Sequence, residues 1–287
     1  MPWLDDILHE LEIADRWGYH AGHPTATEPA AFAALALMAH GDADAAARPL
    51  EWLNEHQAEN GSLGVTADQA SPGWPTSLAL LAWLRADKLT GSNHYAERID
   101  RAVRWTLAIA GKPLDRWEDI GHDTMLVGWP WVEGTHSWLE PTAFAVLALK
   151  ATGRDDHPRT REAVRLIIDR LLPDGGCNYG NTFVLGQRLR PQIEPSGIAL
   201  AAAAGEEDRS GRLARTTDYV HDALSPNTTA ASLSFGLLGL GATGRTPSAA
   251  NMWLEAAARR ALERDRSPYK LALLTLAAVA NDKPLQP

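Results

Sequence analysis

Three glutamates that each precede a proline are the residues of this sequence best suited to acid–base chemistry. Glu28, Glu140 and Glu194 open the similar phrases EPAAFAALAL, EPTAFAVLAL and EPSGIALAAA. A carboxylate near a helix N-terminus gains about 0.3–1 kcal/mol, so helix capping is one explanation for this repeated placement. Glutamate is not a preferred N-cap residue, however, whereas Ser, Thr, Asp and Asn are. We therefore predict that the three carboxylates belong to a functional site, with Glu140 as the principal catalytic candidate.

A segment rich in tryptophan and ionisable side chains precedes Glu140. Tryptophan is the main aromatic residue of the chain, with 11 copies against 4 Phe and 5 Tyr. We expect an inserted loop at about residues 111–138 that forms a lid or site wall, the alternative being an Ω-loop that plugs a barrel. From this loop we predict His136 and Asp123 as further catalytic groups. The side chains predicted to bind substrate are Trp74, Trp117, Trp129, Trp131, Trp138, Glu28 and Glu194.

The elements that would position these side chains form a repeat. A phrase of Pro, small residues, a large apolar residue and then Ala and Leu recurs at intervals of 36 to 66 residues, which is typical of helical-pair repeats. Each copy is apolar nearly all round, which indicates a buried helix, and proline suits the first helical position. The six equivalent positions are Pro29, Pro75, Pro141, Pro195, Ser232 and Pro268.

Amphipathic, charged segments alternate with the buried ones and are predicted to be outer helices. Six inner and six outer helices in alternation predict an all-α fold, an (α/α)6 barrel or toroid, as a single domain over residues 1–287. No strand pattern competes with this interpretation. The predicted outer helices are Trp3 to Asp15, Ala46 to Gln57, Tyr95 to Ile109, Arg159 to Leu172, Leu213 to Leu224 and Ala250 to Arg264.

Charge and cysteine content exclude several classes of function. The net charge is −9, and no run of Lys or Arg is present, which argues against binding to nucleic acid or to anionic lipid. The single cysteine, Cys177, excludes a disulfide framework and a Cys-rich zinc site. The N-terminal segment has no basic start, and the longest apolar runs are too short to cross a bilayer. We therefore expect a cytoplasmic protein without a transmembrane segment.

Two turns and one longer phrase resemble a known family. The segments WLNEHQAENGSLG and LLPDGGCNYGN resemble the Gln-Trp repeats of squalene and oxidosqualene cyclases, with Leu63 and Cys177 where Trp is usual. The phrase GWPWVEGTHSWLEPTAFAVLAL is similar to segments of bacterial squalene-cyclase-like proteins. The chain is thereby identified as a single-barrel member of this superfamily, which includes protein prenyltransferase β subunits. Their Asp-x-Cys zinc motif is absent, and a thioester motif would need Gln where this chain has Gly180.

The resemblance implies proton-initiated chemistry on an isoprenoid. Aligned on the following Thr-Ala, the middle Asp of the cyclase Asp-x-Asp-Asp motif falls on Glu140, and its helpers fall on Trp138 and Pro141. The implied reaction is cyclisation or isomerisation of a small apolar isoprenoid in a Trp-lined cavity, without a cofactor. Burial would keep the acid protonated, aromatic faces would stabilise a carbocation, and His136 or His122 would hydrogen-bond the carboxyl.

Two interpretations from other classes stay open. One is non-catalytic binding of an apolar ligand or a partner helix, because the second barrel and the Asp helpers of the cyclases are missing. The other is a glycan hydrolase or lyase, because (α/α)6 barrels with Trp platforms and paired carboxylates also cleave glycans. In that case Asp119 or Asp123 would act together with Glu140.

A divalent metal is a further possibility at the same end of the barrel. His20 and His23 precede Glu28, and His136 precedes Glu140, so imidazole and carboxylate ligands for zinc or a similar ion would lie near one another. No compact ligand motif supports this site, and we predict no metal.

Overall fold

The computed structural model describes residues 1–116 and 120–286. Within them the chain forms twelve α-helices, alternately outer and inner. The outer helices are α1 (Pro2–Ile13), α3 (Ala43–Glu55), α5 (Ala96–Ala108), α7 (Pro158–Arg170), α9 (Arg212–Ala223) and α11 (Ala250–Arg264). The inner helices are α2 (Thr27–Ala39), α4 (Thr76–Thr90), α6 (Leu139–Ala151), α8 (Ile193–Ala202), α10 (Ala230–Ala242) and α12 (Pro268–Ala278).

The inner helices form a closed ring. Each packs against the next one in sequence, and α12 returns to pack against α2. The outer helices cover this ring: α3 contacts α2 and α4, α7 contacts α6 and α8, and α11 contacts α10 and α12. The predicted all-α (α/α)6 barrel is confirmed. Across the described residues, none of the helices has both the length and the apolar character that crossing a membrane requires.

Burial follows the sequence pattern of each helix. Inner helices bury almost their whole circumference, as in α6, where every residue from Leu139 to Leu149 is buried. Outer helices bury one side only, as in α5, where the buried residues are Ala102, Val103, Trp105 and Thr106. An apolar circumference requires neighbours on all sides, which an inner ring provides and an outer ring does not.

Most inner helices begin two residues earlier than predicted. Proline was expected at the first helical position, but in α2, α6 and α8 it is the third residue. The first four N–H groups of a helix have no intrahelical partner, so a proline at the third position breaks no hydrogen bond. As a consequence, Glu28, Glu140 and Glu194 lie inside the first turn as second residues. None of these three helices has a side-chain N-cap.

A short hairpin departs from the expectation that the chain has no strands. Strands β1 (Phe183–Val184) and β2 (Gln187–Arg188) pair antiparallel. Two turn residues, Leu185 and Gly186, join them with φ of 50° and 75°, the left-handed conformations that suit two-residue hairpins. Strands of two residues are too short to produce a visible alternation of apolar and polar residues.

Three phenylalanines occupy the axis of the barrel. Phe32, Phe144 and Phe235 come from α2, α6 and α10, which alternate around the inner ring, so their mutual contact lies at its centre. Their ring centroids are 5.7 to 6.3 Å apart, and all three side chains are buried. Phe32 and Phe144 follow Glu28 and Glu140 by one helical turn. The aromatic rings therefore form a floor beneath the glutamates.

Candidate active site

The three glutamates meet at one end of the ring, where the inner helices begin. Glu28 and Glu140 are only 7% and 8% exposed, and Glu194 is half-buried. The carboxylates are close enough for their charges to interact, since both Glu28 and Glu194 raise the pKa of Glu140. We name this group the glutamate triad. It joins residues from three separate helices that span positions 28 to 194 of the sequence.

Among the three carboxylates of the triad, Glu140 has the surroundings that stabilise a negative charge least. No described residue donates a hydrogen bond to its carboxyl group, although the side chain is almost fully buried. Burial, followed by repulsion from Glu28 and Glu194, raises the pKa of Glu140 to about 8. The group therefore holds a proton at neutral pH and is able to transfer it.

Glu28 is held by two tyrosines. The hydroxyl of Tyr19 donates to Oε2 at 2.6 Å, and the hydroxyl of Tyr269 donates to Oε1 at 3.1 Å. Burial raises the pKa of Glu28 to about 7, while the two hydrogen bonds oppose that rise. Burial and the charge of Glu28 raise the pKa of both tyrosines, so they remain donors. The sequence analysis did not identify Tyr19 or Tyr269, although Tyr269 lies at the repeat position where an inner helix begins.

Glu194 is the most exposed carboxylate of the triad. Burial raises its pKa, but its half-buried side chain keeps access to water. Tyr179 lies beside it at the rim, where burial and the charges of Glu194 and Glu140 raise the pKa of the phenol. The carbonyl of Tyr179 also accepts the N–H of Leu139 at 3.0 Å, which fixes the start of α6 next to Glu140.

Aromatic rings line the rim around the triad. Trp74 and Trp131 meet edge to face with centroids 4.6 Å apart, and Trp74 stacks on Phe144 at 6.4 Å. Trp138 contacts the imidazole of His136, with ring centroids at 4.7 Å. The three indoles are partly exposed. Three of the tryptophans predicted to bind substrate thus stand at one mouth with the glutamates.

Other predicted site residues have different surroundings. Trp129 is buried in the wall, where Nε1 donates to the carbonyl of Thr106 at 2.7 Å and the Arg159 guanidinium lies 4.5 Å from the ring. The carboxylate of Asp123 accepts hydrogen bonds from Arg116 and from the amide of Met125. Trp117, like Asp119, lies outside the described residues.

The inserted loop borders the mouth and is tied to α7. The amide of Val127 donates to Glu162, and the amide of Asp123 donates to Asp169. Arg170 donates to the carbonyl of Asp123 at 3.1 Å. These bonds hold the loop against the outer helix α7, and the described parts of residues 111–138 contain no helix or strand.

Cys177 has a packing role in a repeated turn. Its amide donates to the Ser196 hydroxyl at 2.9 Å, just as the amides of Leu63 and Trp129 donate to Thr76 and Thr142. Each hydroxyl belongs to the residue after the proline of an inner helix. Burial raises the pKa of the Cys177 thiol to about 12, so it is not a nucleophile.

The residues proposed as metal ligands do not form a compact set. Within residues 1–116 and 120–286, no group of three or more His, Cys, Asp or Glu side chains has the arrangement needed to hold a metal ion. His20 and His23 contact each other instead, with ring centroids 5.1 Å apart.

Comparison with known proteins supports the fold and not the family named from the sequence. No family model matches this chain, and no curated protein is similar to it in sequence. A glycosidase is similar over 100% of this chain and 98% of its own, with 14% identity and a TM-score of 0.62. A glycosidase variant with a glutamate changed to alanine, solved in complex with glucose, is also similar, with 14% identity and a TM-score of 0.61.

Two further solved structures are similar. A novel α-amylase from Clostridium perfringens shares 13% identity, with 96% of each chain covered and a TM-score of 0.62. Salmonella α-2-macroglobulin reacted with methylamine shares 16% identity over 96% of this chain and 17% of its own, with a TM-score of 0.53.

The predicted membership of the squalene cyclase superfamily is wrong, as are the terpene-cyclase activity and the isoprenoid substrate it implied. The similar structures include glycosidases and an amylase, and no family model supports a cyclase. The phenylalanine floor and the carboxylates above it also differ from the deep apolar cavity that an isoprenoid would need. At these identities the comparisons show the fold alone: this chain is an (α/α)6 barrel of the kind found in glycosidases.

Proposed function

We propose that this protein is a glycoside hydrolase, with Glu140 as the general acid and Glu194 as the second carboxylate. The observation that carries the proposal is the state of Glu140: it is buried, without a hydrogen-bond donor among the described residues, and its pKa is raised to about 8. Cleavage of a glycosidic bond requires a carboxylic acid that is protonated at neutral pH and a second, ionised carboxylate nearby. In the triad Glu140 is the protonated acid, and Glu194 is the second carboxylate, the one most open to water.

In this mechanism Glu140 protonates the glycosidic oxygen as the bond to the leaving sugar breaks. Glu194 is half-buried and accessible to water, and in its ionised form it either activates the attacking water or attacks the sugar itself. The sequence analysis paired Asp123 with Glu140. In the structure the Asp123 carboxylate accepts hydrogen bonds from Arg116 and the Met125 amide, so we assign the role of second carboxylate to Glu194. Two tyrosines hold the Glu28 carboxyl, and in its ionised form the charge of Glu28 helps Glu140 to retain its proton.

The rim supplies flat surfaces for sugar rings. Trp74, Trp131 and Trp138 are partly exposed, and the faces of sugar rings carry C–H groups that pack on indoles. The phenylalanine floor closes the barrel below the triad, so a glycan would lie across the mouth and not thread through it. The similar glycosidase with bound glucose and the similar α-amylase support a sugar substrate.

The test is hydrolysis of a panel of α- and β-linked oligosaccharides, neutral and acidic, with products identified by mass spectrometry. Glu140→Gln preserves the shape of the side chain but removes the transferable proton. General acid catalysis contributes about 10²–10⁴-fold, so we expect kcat to fall by that factor on any substrate that is cleaved. Glu194→Gln should be as damaging.

The matched control is Glu97→Gln, which makes the same chemical change at an exposed position of the outer helix α5 and should leave kcat unchanged. Circular dichroism of each variant checks that the helices remain. Full activity of the folded Glu140→Gln variant, or the absence of hydrolysis across the whole panel, would show that the triad is not a glycosidase site.

A further inference from the structure

A cavity lies between the inserted loop, the end of α7 and the turn that follows Tyr179. Its volume is about 180 Å³, and its described lining combines two cationic side chains, two histidines, three polar uncharged side chains, three apolar side chains and a glycine. No acidic side chain is among the described lining residues. The residues used in the argument are Lys112, His122, His136 and Arg170. We name it the basic cavity.

The basic cavity adjoins the proposed catalytic mouth. His136 lines it and also contacts Trp138, the residue that precedes the first turn of α6 and therefore Glu140. On the opposite side Gly180 lines the cavity, and the preceding residue is Tyr179 at the rim of the triad. A sugar bound at the triad would therefore have substituents within reach of the cavity.

The charge in the cavity is concentrated on Arg170 and Lys112. Arg170 is buried, and its hydrogen bonds within the described residues come from Nη1 alone, to the carbonyl of Asp123 and to Asp169. Its other N–H groups have no partner in the described part of the chain. The exposed Lys112 side chain forms no ion pair with any described residue.

The neighbouring carboxylates offset the charge of Arg170 but not that of Lys112, which has no ion-pair partner among the described residues. Asp169 pairs with Arg170, and Asp123 pairs with Arg116 at 3.1 Å. His122 contacts the Thr182 hydroxyl through Nδ1 at 3.1 Å, and burial followed by the charge of Arg170 lowers its pKa to about 4. His122 is therefore neutral at physiological pH. The cavity is a local basic feature on a chain whose net charge is −9.

We propose that the basic cavity binds an anionic substituent of the sugar, so that the substrate of the triad is an acidic glycan. The group is a carboxylate, as in a uronic acid, or a sulfate or phosphate ester. A guanidinium with unused N–H groups and a lysine ammonium are the partners that such anions favour, and partial enclosure strengthens the attraction. This inference rests on the proposed glycosidase function of the neighbouring triad.

The test is calorimetric titration of the whole chain with four monosaccharides: glucose, glucuronic acid, glucose 6-sulfate and glucose 6-phosphate. We expect at least one anionic sugar to bind about tenfold more tightly than glucose, and the advantage to shrink at high salt. The preferred anion identifies the substituent. Lys112→Gln should remove most of this preference for the anionic sugar, and Lys112→Arg should retain the preference.

Lys88→Gln is the matched control, because Lys88 is an exposed lysine on the inner helix α4 that lines a different cavity. It should bind all four sugars as the unmodified chain does. Equal affinity for all four sugars, or an anionic preference that Lys112→Gln leaves intact, would overturn the inference.

Hydrolysis assays on neutral and acidic oligosaccharides separate the two proposals. Cleavage of neutral oligosaccharides without preference for acidic ones overturns the acidic substrate and leaves the glycosidase function standing. Tight binding of an anionic sugar that depends on Lys112, with no hydrolysis of any oligosaccharide, overturns the glycosidase function and retains the anion site.

Discussion

The three glutamates of the triad are chemically identical residues in three different surroundings. Glu28 accepts hydrogen bonds from two tyrosines, Glu194 is open to water, and Glu140 has no donor within the described residues. Different environments are what allow carboxyl groups in one site to act as acid and as base at the same pH. The assignment of roles follows from these surroundings and not from the residue type.

The charge of Glu28 can be tested through the pH dependence of catalysis. Glu28→Gln removes a negative charge that raises the pKa of Glu140. The pKa of Glu140 should therefore fall, and the upper limb of the kcat/KM profile, where the acid loses its proton, should move to lower pH by about half a unit to one unit. The measurement is the pH profile of kcat/KM for Glu28→Gln, with Glu97→Gln as the control. A limb that stays in place would mean that Glu28 does not act on the acid.

At the scale of the elements, helices α8 and α10 approach each other more closely than side chains would allow. A Cβ atom added to Gly197 would lie 2.1 Å from the carbonyl oxygen of Phe235. A Cβ added to Gly239 would lie 2.4 Å from the carbonyl oxygen of Gly197. The two helices therefore meet backbone to backbone. This contact brings α8, which carries Glu194, to its position in the inner ring.

Two alanine substitutions in α10 test this contact. Gly239→Ala would push against backbone that cannot move aside, so we expect a loss of about 2–3 kcal/mol in the free energy of unfolding. Gly236→Ala would meet only the ends of the Ile193 and Leu224 side chains, at 3.0 Å. Its strain should be nearly offset by the higher helix propensity of alanine, leaving a change within about 1 kcal/mol. Urea denaturation measures both, and equal losses would contradict the argument.

The helices could be predicted from the sequence because each has a strong pattern. Predicted and observed ends of the outer helices agree within about three residues, as for Arg212–Ala223 against Leu213 to Leu224. The inserted loop has no such periodicity. Nothing in the sequence distinguished the buried Trp129 from the partly exposed Trp131. The tyrosines on Glu28 come from positions 19 and 269, whose proximity depends on ring closure.

The resemblance to cyclases failed for a physical reason that lies in the turns. Gly61 and Gly175 have φ of 96° and 99°, and an added Cβ would strike the carbonyl oxygens of Arg101 and Arg215 in the following outer helices. The Gln57 amide donates to Gly61 and to the carbonyl of Arg98 in α5. These motif residues therefore serve helix packing. They indicate the barrel and carry no information about the reaction.

At the scale of the whole molecule, the triad should make stability depend on pH. The pKa values of Glu28 and Glu140 are raised by folding from 4.5 to about 7 and about 8. The folded state therefore binds more protons than the unfolded state, and stability decreases as pH rises from 4.5 towards 8. The pKa of His122 is lowered from 6.5 to about 4, so His122 acts in the opposite sense below pH 6.5.

Between pH 6.5 and 8 the pH dependence of stability therefore comes mainly from the two glutamates. We expect the melting temperature to fall across it, and the double variant Glu28→Gln, Glu140→Gln to show little dependence on pH. At pH 8 the double variant should be more stable than the unmodified chain, because its neutral amides avoid the cost of burying ionised carboxylates. Differential scanning calorimetry at several pH values tests this. A melting temperature of the unmodified chain that stays constant or rises over the window would contradict it.

Closure of the ring by α12 has a consequence for when the surroundings of the triad are completed during synthesis of the chain. Tyr269, which donates to Glu28, stands on α12, and Ser267 beside it donates to the carbonyl of Tyr19, the other tyrosine on Glu28. The triad residues on α2, α6 and α8 leave the ribosome well before this helix. A nascent chain therefore carries its acidic groups for some time without Tyr269 and without the Ser267 hydroxyl that fixes Tyr19. The surroundings of Glu28 are then completed in one late step, when α12 docks between α10 and α2.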